Sequence, residues 1–249
     1  MRFALNYAMA SILLLDDDSY FRKLAIAALQ PRHHVIFEAS RARDADALVA
    51  QRKFDCIIVD GLLPDADGMS WINRFREKDE ETPILFISAF WRNDAKVKQL
   101  QVSGTMKKPV TPAQLVAKVE QALRNQTAGA PRISPVPELP AAASGELAQL
   151  TATFERDLPK LLRGVSDAVE QLRRTPDSAP IRGVAQRRAH QLAGTAGSFG
   201  FTKLGEACAQ LEDALVGMGH SFSADVTWAI IDNALTSLGN AQVKVALSA

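Results

Sequence analysis

Five polar residues in the first half of the chain stand where short apolar runs end. They are Asp16, Asp17, Asp60, Ser88 and Lys108. If the apolar runs are parallel strands, these side chains meet at one edge of a sheet. Three carboxylates brought together repel one another, and Mg²⁺ suits a site made of a few carboxylates and water. The ammonium and the hydroxyl would then bind anionic oxygens, so the set predicts a phosphoryl-transfer site with a carboxylate nucleophile.

A second candidate for chemistry is His190, which lies in the glycine-rich stretch RRAHQLAGTAGSFGF. Helical spacing of about 100° per residue places a set of apolar residues on the core side, namely Ala185, Ala189, Leu192, Ala196 and Phe199. The same spacing predicts that His190 faces solvent, beside Gly194 and Gly197. Residues one turn away offer no zinc ligand. We expect an exposed, nucleophilic imidazole, with Arg187 and Arg188 stabilising charge and the glycines leaving room for a second protein.

The first half of the chain alternates short apolar runs with amphipathic segments. The apolar runs predict strands at residues 11–15, 34–37, 54–59, 84–87 and 105–107. The amphipathic segments predict helices at residues 20–29, 42–51, 69–78, 94–102 and 112–124. Five such repeats indicate a doubly wound five-stranded parallel sheet with helices on both faces. Each polar residue alone also fits a solvated turn or a helix cap, but all five fall at the carboxyl ends of strands.

The second half of the chain has a different pattern of apolar residues. Residues 126–145 are rich in proline, alanine, glycine and serine and indicate a linker. Three further apolar stripes then have helical spacing: Phe154, Leu158, Leu161, Val165, Val169 and Leu172; Leu204, Cys208, Leu211, Leu215 and Met218; and Val226, Ile230, Ala234 and Leu238. Pro159 and Pro176 predict the start and the end of a helix. The predicted fold class is α/β plus all-α, with an antiparallel four-helix bundle after the sheet domain.

Composition and charge exclude several classes of function. The 29 basic and 28 acidic residues leave a net charge of +1, too little to attract nucleic acid or an anionic membrane. No apolar stretch approaches the ~20 residues that span a bilayer, and the apolar start of the chain lacks a signal-peptide cleavage site. Cys56 and Cys208 indicate core residues in a reducing cytosol. We therefore expect a cytoplasmic protein, with His33, His34 and His220 in surface or loop positions.

The first half closely resembles the receiver domain of two-component response regulators over residues 9–125. The motifs are ILLLDDD, FDCIIVDGLLPDADG, PILFISA and KKP, in this order. The resemblance implies that Asp60 is the phosphoacceptor and that Asp16, Asp17, Asp60 and the backbone carbonyl of Leu62 bind Mg²⁺. It also implies that Ser88 and Lys108 contact the phosphoryl group, with a cis bond after the lysine.

Three further positions follow from this resemblance. Pro64 and Gly68 would shape the loop beyond the phosphoacceptor. The family often has an aromatic switch residue three positions before the lysine, and Thr105 stands there instead. Receivers often pair through their last two helices, so a homodimer through the receiver is an open expectation.

Residues 146–245 look like a histidine-containing phosphotransfer (HPt) domain. The motif AHQLAGTAGSFGF, followed by LGEACAQLEDAL, places His190 on the phosphorylated histidine of that family. Many members have a lysine three residues later, whereas this chain has Ala193. The resemblance implies that the stabilising charge comes from elsewhere.

Together the two halves predict a phosphorelay protein rather than an enzyme with its own kinase domain, because the chain shows no ATP-binding glycine-rich motif. The expected partners are a sensor histidine kinase and other receiver or HPt proteins, and transfer between Asp60 and His190 in one chain is a hypothesis. One alternative is a receiver-gated adaptor or phosphate sink whose helical bundle only docks. Another is a Mg²⁺-dependent phosphatase, which would typically carry a second aspartate where Leu62 stands.

Overall fold

The computed structural model of the chain describes residues 9–89, 97, 99–126 and 141–218, together with residues 229, 232, 233 and 236. It divides into two compact units, Met1–Leu150 and Thr151–Ala249. Within the described residues, no helix has both the length and the apolar character needed to cross a membrane.

The first unit is built on five parallel strands, β1 Ser11–Leu15, β2 Val35–Ala39, β3 Cys56–Asp60, β4 Ile84–Ser88 and β5 Gly104–Lys107. Their order in the sheet is β2-β1-β3-β4-β5. The helices described between and after them are α1 Ser19–Leu29, α2 Ala42–Gln51, α3 Gly68–Arg76 and α4 Pro112–Gln126. This strand order is a doubly wound, flavodoxin-like one, and the predicted fold is confirmed. The helix predicted at 94–102 falls largely outside the described residues.

The sheet is buried on both faces, which explains the uninterrupted apolar runs of its central strands. Successive residues of β1 point to opposite faces. Ile12 and Leu14 pack in one cluster with α1 and α4, whereas Leu13 and Leu15 pack in another with α2 and α3. Full burial of a leucine contributes about 1.5–3 kcal/mol, so the two clusters fix the position of each strand end.

The strand register brings the predicted polar residues to the same edge of the sheet. Asp60 pairs with Ile87, and Ser88 pairs with Lys107. Leu15, the last residue of β1, pairs with Val59, one residue before the end of β3. The residues that follow β1, β3, β4 and β5 are therefore neighbours at the carboxyl edge.

The second unit is helical in its described part. Its helices are α5 Ala141–Arg174, whose first ten residues belong to the first unit, α6 Ala179–Ser198 and α7 Thr202–Gly217. The stripe predicted for α5 is buried at Phe154, Leu158, Val165, Val169 and Leu172, and that for α7 is buried at Leu204, Cys208, Leu211 and Leu215. The last predicted stripe lies outside the described residues, apart from four single helical positions near it.

Two local expectations differ from the structure. Pro159 lies inside α5 rather than at the start of a helix. Proline costs a helix interior about 3 kcal/mol, but Phe154, Leu158 and Leu162 are buried on both sides of it, and this packing supports the helix across the proline. The last five residues of the expected linker, 141–145, are also helical. Pro176, by contrast, follows the end of α5 as predicted.

Candidate functional site

The predicted acidic residues converge at the carboxyl edge of the sheet. One carboxylate oxygen from each of Asp16, Asp17 and Asp60 lies within 4.8 Å of the others. Asp16 and Asp60 are each 1% exposed, whereas Asp17 is partly exposed. Hard oxygen ligands at this spacing fit a divalent cation such as Mg²⁺, which requires few protein carboxylates.

Lys108 joins two of these carboxylates. Its Nζ atom lies 2.7 Å from Oδ2 of Asp16 and 3.0 Å from Oδ1 of Asp60, and the side chain is almost fully buried. The Nζ atom also lies 4.5 Å from the centre of the Phe21 ring. The Lys108-Pro109 peptide bond is cis, and the Lys108 amide donates to the carbonyl of Ser88 at 2.9 Å. Four of the five residues first singled out, all but Asp17, are therefore buried at this edge.

The buried charges perturb one another. Burial raises the pKa of Asp16 to about 8, with Lys108 opposing the shift and the charges of Asp60 and Asp18 adding to it. Burial also raises the pKa of Asp18. Burial alone would lower the pKa of Lys108, but the surrounding carboxylates outweigh it and hold that pKa above its usual range. One ammonium does not neutralise these carboxylates, so an added divalent cation would relieve their repulsion.

The loop after Asp60 is shaped by backbone contacts, as predicted for Gly68. The Leu62 amide donates to Oδ2 of Asp60 at 3.3 Å, and the Gly68 amide donates to the Gly61 carbonyl at 3.0 Å. A Cβ atom at Gly68 would lie 2.0 Å from the carbonyl oxygen of Asp60. Only glycine fits there, because a side chain would displace the backbone of Asp60.

Asp65 and Asp67, which also follow β3, cap helices. Asp65 accepts hydrogen bonds from the amides of Ala42 and Arg43 at the start of α2, at 2.8 and 3.2 Å. Asp67 accepts from the Ser70 amide at the start of α3, at 3.0 Å. Asp67 is the N-cap residue of α3, whereas Asp65 satisfies the first amides of α2 from a distant part of the chain. The loop that follows Asp60 is thereby tied to two helices.

Sequence reasoning missed Arg22, one turn into α1. Its Nη1 atom donates to the backbone carbonyl of Asp16 at 2.7 Å, and its Nε atom pairs with Glu38 at 3.0 Å. The side chain of Asp18 caps the same helix by accepting from the amides of Tyr20 and Phe21. The sequence offered no signal for Arg22, because a basic residue on an amphipathic helix usually faces solvent.

The prediction that His190 is exposed is wrong. The residue is 3% exposed, and its Nδ1 atom lies 2.9 Å from Oε1 of Glu212 on α7. The predicted core stripe of α6 is buried as expected, but Ala193 and Thr195 on other faces are buried too. The helical wheel located the strongest apolar stripe and treated the small residues as solvent-facing, although small residues also allow close helix packing.

The glycines serve the packing of α6 against α7. A Cβ atom at Gly205 of α7 would lie 3.0 Å from the carbonyl oxygen of Ala193 and 3.3 Å from the amide nitrogen of Gly197. Gly200 has a φ of 91°, a left-handed conformation in the turn between the two helices. The described contacts thus assign Gly197, Gly200 and Gly205 to packing and to the turn.

The two arginines before His190 lie close to other groups than the imidazole. Arg188 donates from Nη1 to the carbonyl of Gly164 on α5. A Cβ atom at Gly183, one turn earlier on α6, would lie 3.5 Å from Nη1 of Arg187, so this guanidinium lies along its own helix. The carboxylate of Glu212 does contact the imidazole. Glu212 lies four residues after Cys208 and three before Leu215, so an acid on the apolar stripe of α7 was the sequence signal that could have found it.

His34 was expected in a surface or loop position, and its side chain is buried, at 4% exposure. It directly precedes β2, and neither of its ring nitrogens has a hydrogen-bond partner among the described residues. Burial lowers its pKa, and the charges of Arg32 and His33 lower it further. His33 takes a left-handed conformation at the end of the short 3₁₀ helix Gln30–Arg32.

Family models match both halves of the chain. The model described as response regulator receiver domain matches residues 12–120, and the Hpt domain model matches residues 149–241. A curated relative, the phosphate regulon transcriptional regulatory protein PhoB of Pseudomonas aeruginosa, is 32% identical over 124 residues, which are 48% of this chain and 54% of PhoB. The virulence transcriptional regulatory protein PhoP of Salmonella typhimurium is 28% identical over 131 residues, 52% of this chain and 58% of PhoP. The chain spans about half the length of these relatives.

Solved structures with similar folds include response regulators. The chemotaxis response regulator CheY4 of Vibrio cholerae is 26% identical, with a TM-score of 0.44, and the match covers 46% of this chain and 99% of CheY4. The signal receiver domain of a LuxO repressor protein from Vibrio parahaemolyticus is 22% identical, with a TM-score of 0.46, covering 48% of this chain and 93% of that domain.

Proposed function

We propose that this chain, which contains a response regulator receiver domain and an Hpt domain, relays a phosphoryl group between other proteins. It accepts the group on Asp60 and carries one on His190. The observation that supports the receiver half most strongly is the buried bridge in which Lys108 binds both Asp16 and Asp60. We propose residues 9–125 and 146–245 as the two domains, with residues 126–145 as the connection.

The proposed output is phosphate transfer rather than DNA binding. The relatives PhoB and PhoP are named as transcriptional regulators, but the match covers about half of each. The remainder of this chain matches an Hpt domain. The matched families include no ATP-binding kinase domain, so we propose that the phosphoryl group comes from a separate sensor histidine kinase and leaves to another receiver or HPt protein.

In the first step, one carboxylate oxygen of Asp60 forms a bond to the phosphorus of a donor phosphohistidine. The P–N bond of the donor breaks, and its electron pair stays on the ring nitrogen. The ammonium of Lys108 already lies 3.0 Å from Asp60 and would bind a phosphoryl oxygen, and the Ser88 hydroxyl would bind another. Charge-assisted bonds of this kind stabilise the transition state more than neutral ones.

The metal ligands proposed are Asp16, Asp17, Asp60 and the backbone carbonyl of Leu62. The three carboxylates lie close enough for a shared ion, and the Leu62 amide already contacts Asp60. A bound Mg²⁺ would offset the negative charge of the phosphoryl oxygens. Arg22 holds the carbonyl of Asp16 and so fixes the loop that carries two of the ligands.

In the second step, Nε2 of His190 is the proposed nucleophile. With a Glu212 oxygen as the acceptor of this hydrogen bond, Nδ1 carries the proton and Nε2 keeps its lone pair. Nε2 bonds to the phosphorus of an aspartyl phosphate, and the P–O bond breaks with its electron pair returning to the aspartate. The positive charge that develops on the ring lies against Glu212.

Burial of the imidazole adds a requirement to this proposal. Because His190 is 3% exposed, an aspartyl phosphate reaches Nε2 only when the surroundings of the ring open. The phosphotransfer rate would then include this opening step.

A pulse experiment tests the proposal. The purified chain is labelled from a phosphorylated histidine kinase, and the label is followed in wild type, Asp60→Ala and His190→Gln. We expect label on Asp60 that hydroxylamine removes, and label on His190 that acid removes and alkali does not. Wild type in which label on Asp60 never reaches His190 would exclude transfer within one chain. No label on either residue from any kinase of the host would refute the relay.

The burial of His190 favours a second candidate, in which the helical bundle is a docking module controlled by the receiver. In this adaptor, phosphorylation of Asp60 regulates access to the bundle, and the imidazole stabilises its core. His190→Gln separates the two functions, because an adaptor keeps its output with glutamine at this position and a relay loses it.

A further inference from the structure

We propose that Gly61 is a positioning residue for the Ser88 hydroxyl in the phosphoryl-transfer site. A Cβ atom at Gly61 would lie 2.5 Å from Oγ and 2.8 Å from Cβ of Ser88, and 3.2 Å from the Phe86 ring. Carbon atoms do not approach one another or an oxygen this closely without displacement. The hydroxyl therefore occupies space that any other residue at position 61 would take.

The backbone conformation does not require this glycine. Gly200 is the described glycine with a positive φ, and Gly61 lies outside that region. Gly61 also keeps the sheet pattern, since its amide donates to the Ile87 carbonyl at 2.9 Å. Alanine could adopt the same backbone, so what glycine provides here is room for Ser88.

The position of Gly61 links it to the chemistry. It directly follows Asp60, and Ser88 ends the neighbouring strand β4, where it is 3% exposed. Gly68, on the other side of the loop, fits against the Asp60 backbone and constrains the nucleophile itself. Gly61 instead faces the hydroxyl that we propose to bind a phosphoryl oxygen. The inference thus rests on the proposed function and deepens it.

The expected consequence is specific to Ser88. With alanine at position 61, the ends of β3 and β4 shift apart or the serine turns away, and its hydroxyl no longer meets the phosphoryl oxygen. Loss of one hydrogen bond to a charged group corresponds to a rate decrease of about 10- to 100-fold. Asp60 and Leu62, two of the proposed metal ligands, flank Gly61, so a shift of the strand end would also weaken Mg²⁺ binding. Rotation of the serine alone would leave the dissociation constant for Mg²⁺ within about twofold of wild type, which is the result that we expect.

The test is a double-mutant cycle in the full chain, with acetyl phosphate as donor and Mg²⁺ present. The variants are Gly61→Ala, Ser88→Ala and the double variant. Gly104→Ala serves as the matched control, because its Cβ would meet the end of the Leu85 side chain at 3.1 Å on the adjacent strand pair. The measurements are the rate of Asp60 phosphorylation, the dissociation constant for Mg²⁺ by calorimetry and the unfolding midpoint.

We expect Gly61→Ala to slow phosphorylation about as much as Ser88→Ala, and the double variant to be no slower than Ser88→Ala alone. Gly104→Ala should keep the wild-type rate. The inference would be overturned if the two substitutions decreased the rate by independent factors that multiply in the double variant. It would also be overturned by a wild-type rate in Gly61→Ala or by a Gly61→Ala chain that does not fold. Equal labelling of wild type and Asp60→Ala would overturn the proposed function as well, and this outcome is distinct because it needs no variant at position 61.

Discussion

Removing the carboxylate of Glu212 should slow phosphoryl transfer to His190. The Glu212 Oε1 atom lies 2.9 Å from Nδ1, and Glu212 and His190 are 6% and 3% exposed, so water does not replace the bond easily. A hydrogen bond to a charged group contributes about 1.5–3 kcal/mol. If the bond strengthens by this amount as positive charge develops on the ring in the transition state, Glu212→Ala lowers the transfer rate by about 10- to 100-fold.

Glu212→Gln is the matched control for this prediction. Its amide oxygen can accept the same bond from Nδ1 but carries no charge, so the decrease should be smaller, about threefold to tenfold. Glu212→Ala also loses stability, because it leaves a buried donor unsatisfied at a cost of about 1–3 kcal/mol. A stability loss alone would not change the rate for the folded fraction, which separates the two effects.

The assay is rapid-quench transfer from a phosphorylated receiver to the chain, with Asp60→Ala as background so that only His190 is labelled. The rate is measured at saturating donor and divided by the folded fraction from circular dichroism. Equal rates for Glu212→Ala and wild type would refute the positioning role of Glu212. Equal decreases for alanine and glutamine would show that charge, rather than the hydrogen bond, is what matters.

Three further predictions concern stability and reactivity. Glu120→Ala should lower the free energy of unfolding by about 3 kcal/mol in urea titrations. The reason is that Glu120 and Arg32 form a buried ion pair at 2.8 Å, and the variant leaves Arg32 without its carboxylate. A loss below about 1 kcal/mol would contradict this prediction. The pKa of His34 is lowered in the folded state, so the unfolded chain binds the proton more readily. The free energy of unfolding of wild type should therefore decrease as pH falls below about 6.5, and that of His34→Phe should decrease less. Parallel pH profiles for the two proteins would contradict this prediction. Burial raises the pKa of Cys56 to about 12 and also raises the pKa of Cys208. Neither thiol should therefore react with a disulfide reagent at about pH 8 until guanidinium unfolds the chain. Two fast-reacting thiols in the folded chain would be inconsistent with the structure.

The sheet and its site could be predicted from the sequence because they depend on local patterns. Buried parallel strands are continuous apolar runs, and the polar residue at the end of each run identifies the carboxyl edge. Asp16, Asp60, Ser88 and Lys108 were found in this way, and the register of the strands brings them together. The contacts of Arg22 and of Gly61 depend on neighbouring strands and loops, which spacing along one element does not reveal.

The environment of His190 could not be predicted in the same way. Helical spacing describes the faces of one helix alone, whereas the burial of a residue depends on which other helices pack against that helix. Small residues such as Ala193 and Gly197 allow another helix to pack closely against α6 outside its main apolar stripe. Gly205 of α7 lies so close to these two residues that a Cβ atom there would contact their backbone. Pro159 shows the same limitation, because burial on both sides outweighs its helix-breaking tendency.

The most direct test of the central claim is a ³¹P NMR spectrum of the full chain, phosphorylated by a histidine kinase in the presence of Mg²⁺. The relay predicts two protein-bound signals, an acyl phosphate that disappears in Asp60→Ala and a phosphoramidate that disappears in His190→Gln. A spectrum with the acyl phosphate alone, under every donor that phosphorylates the chain, would contradict the account and leave the bundle as a docking module.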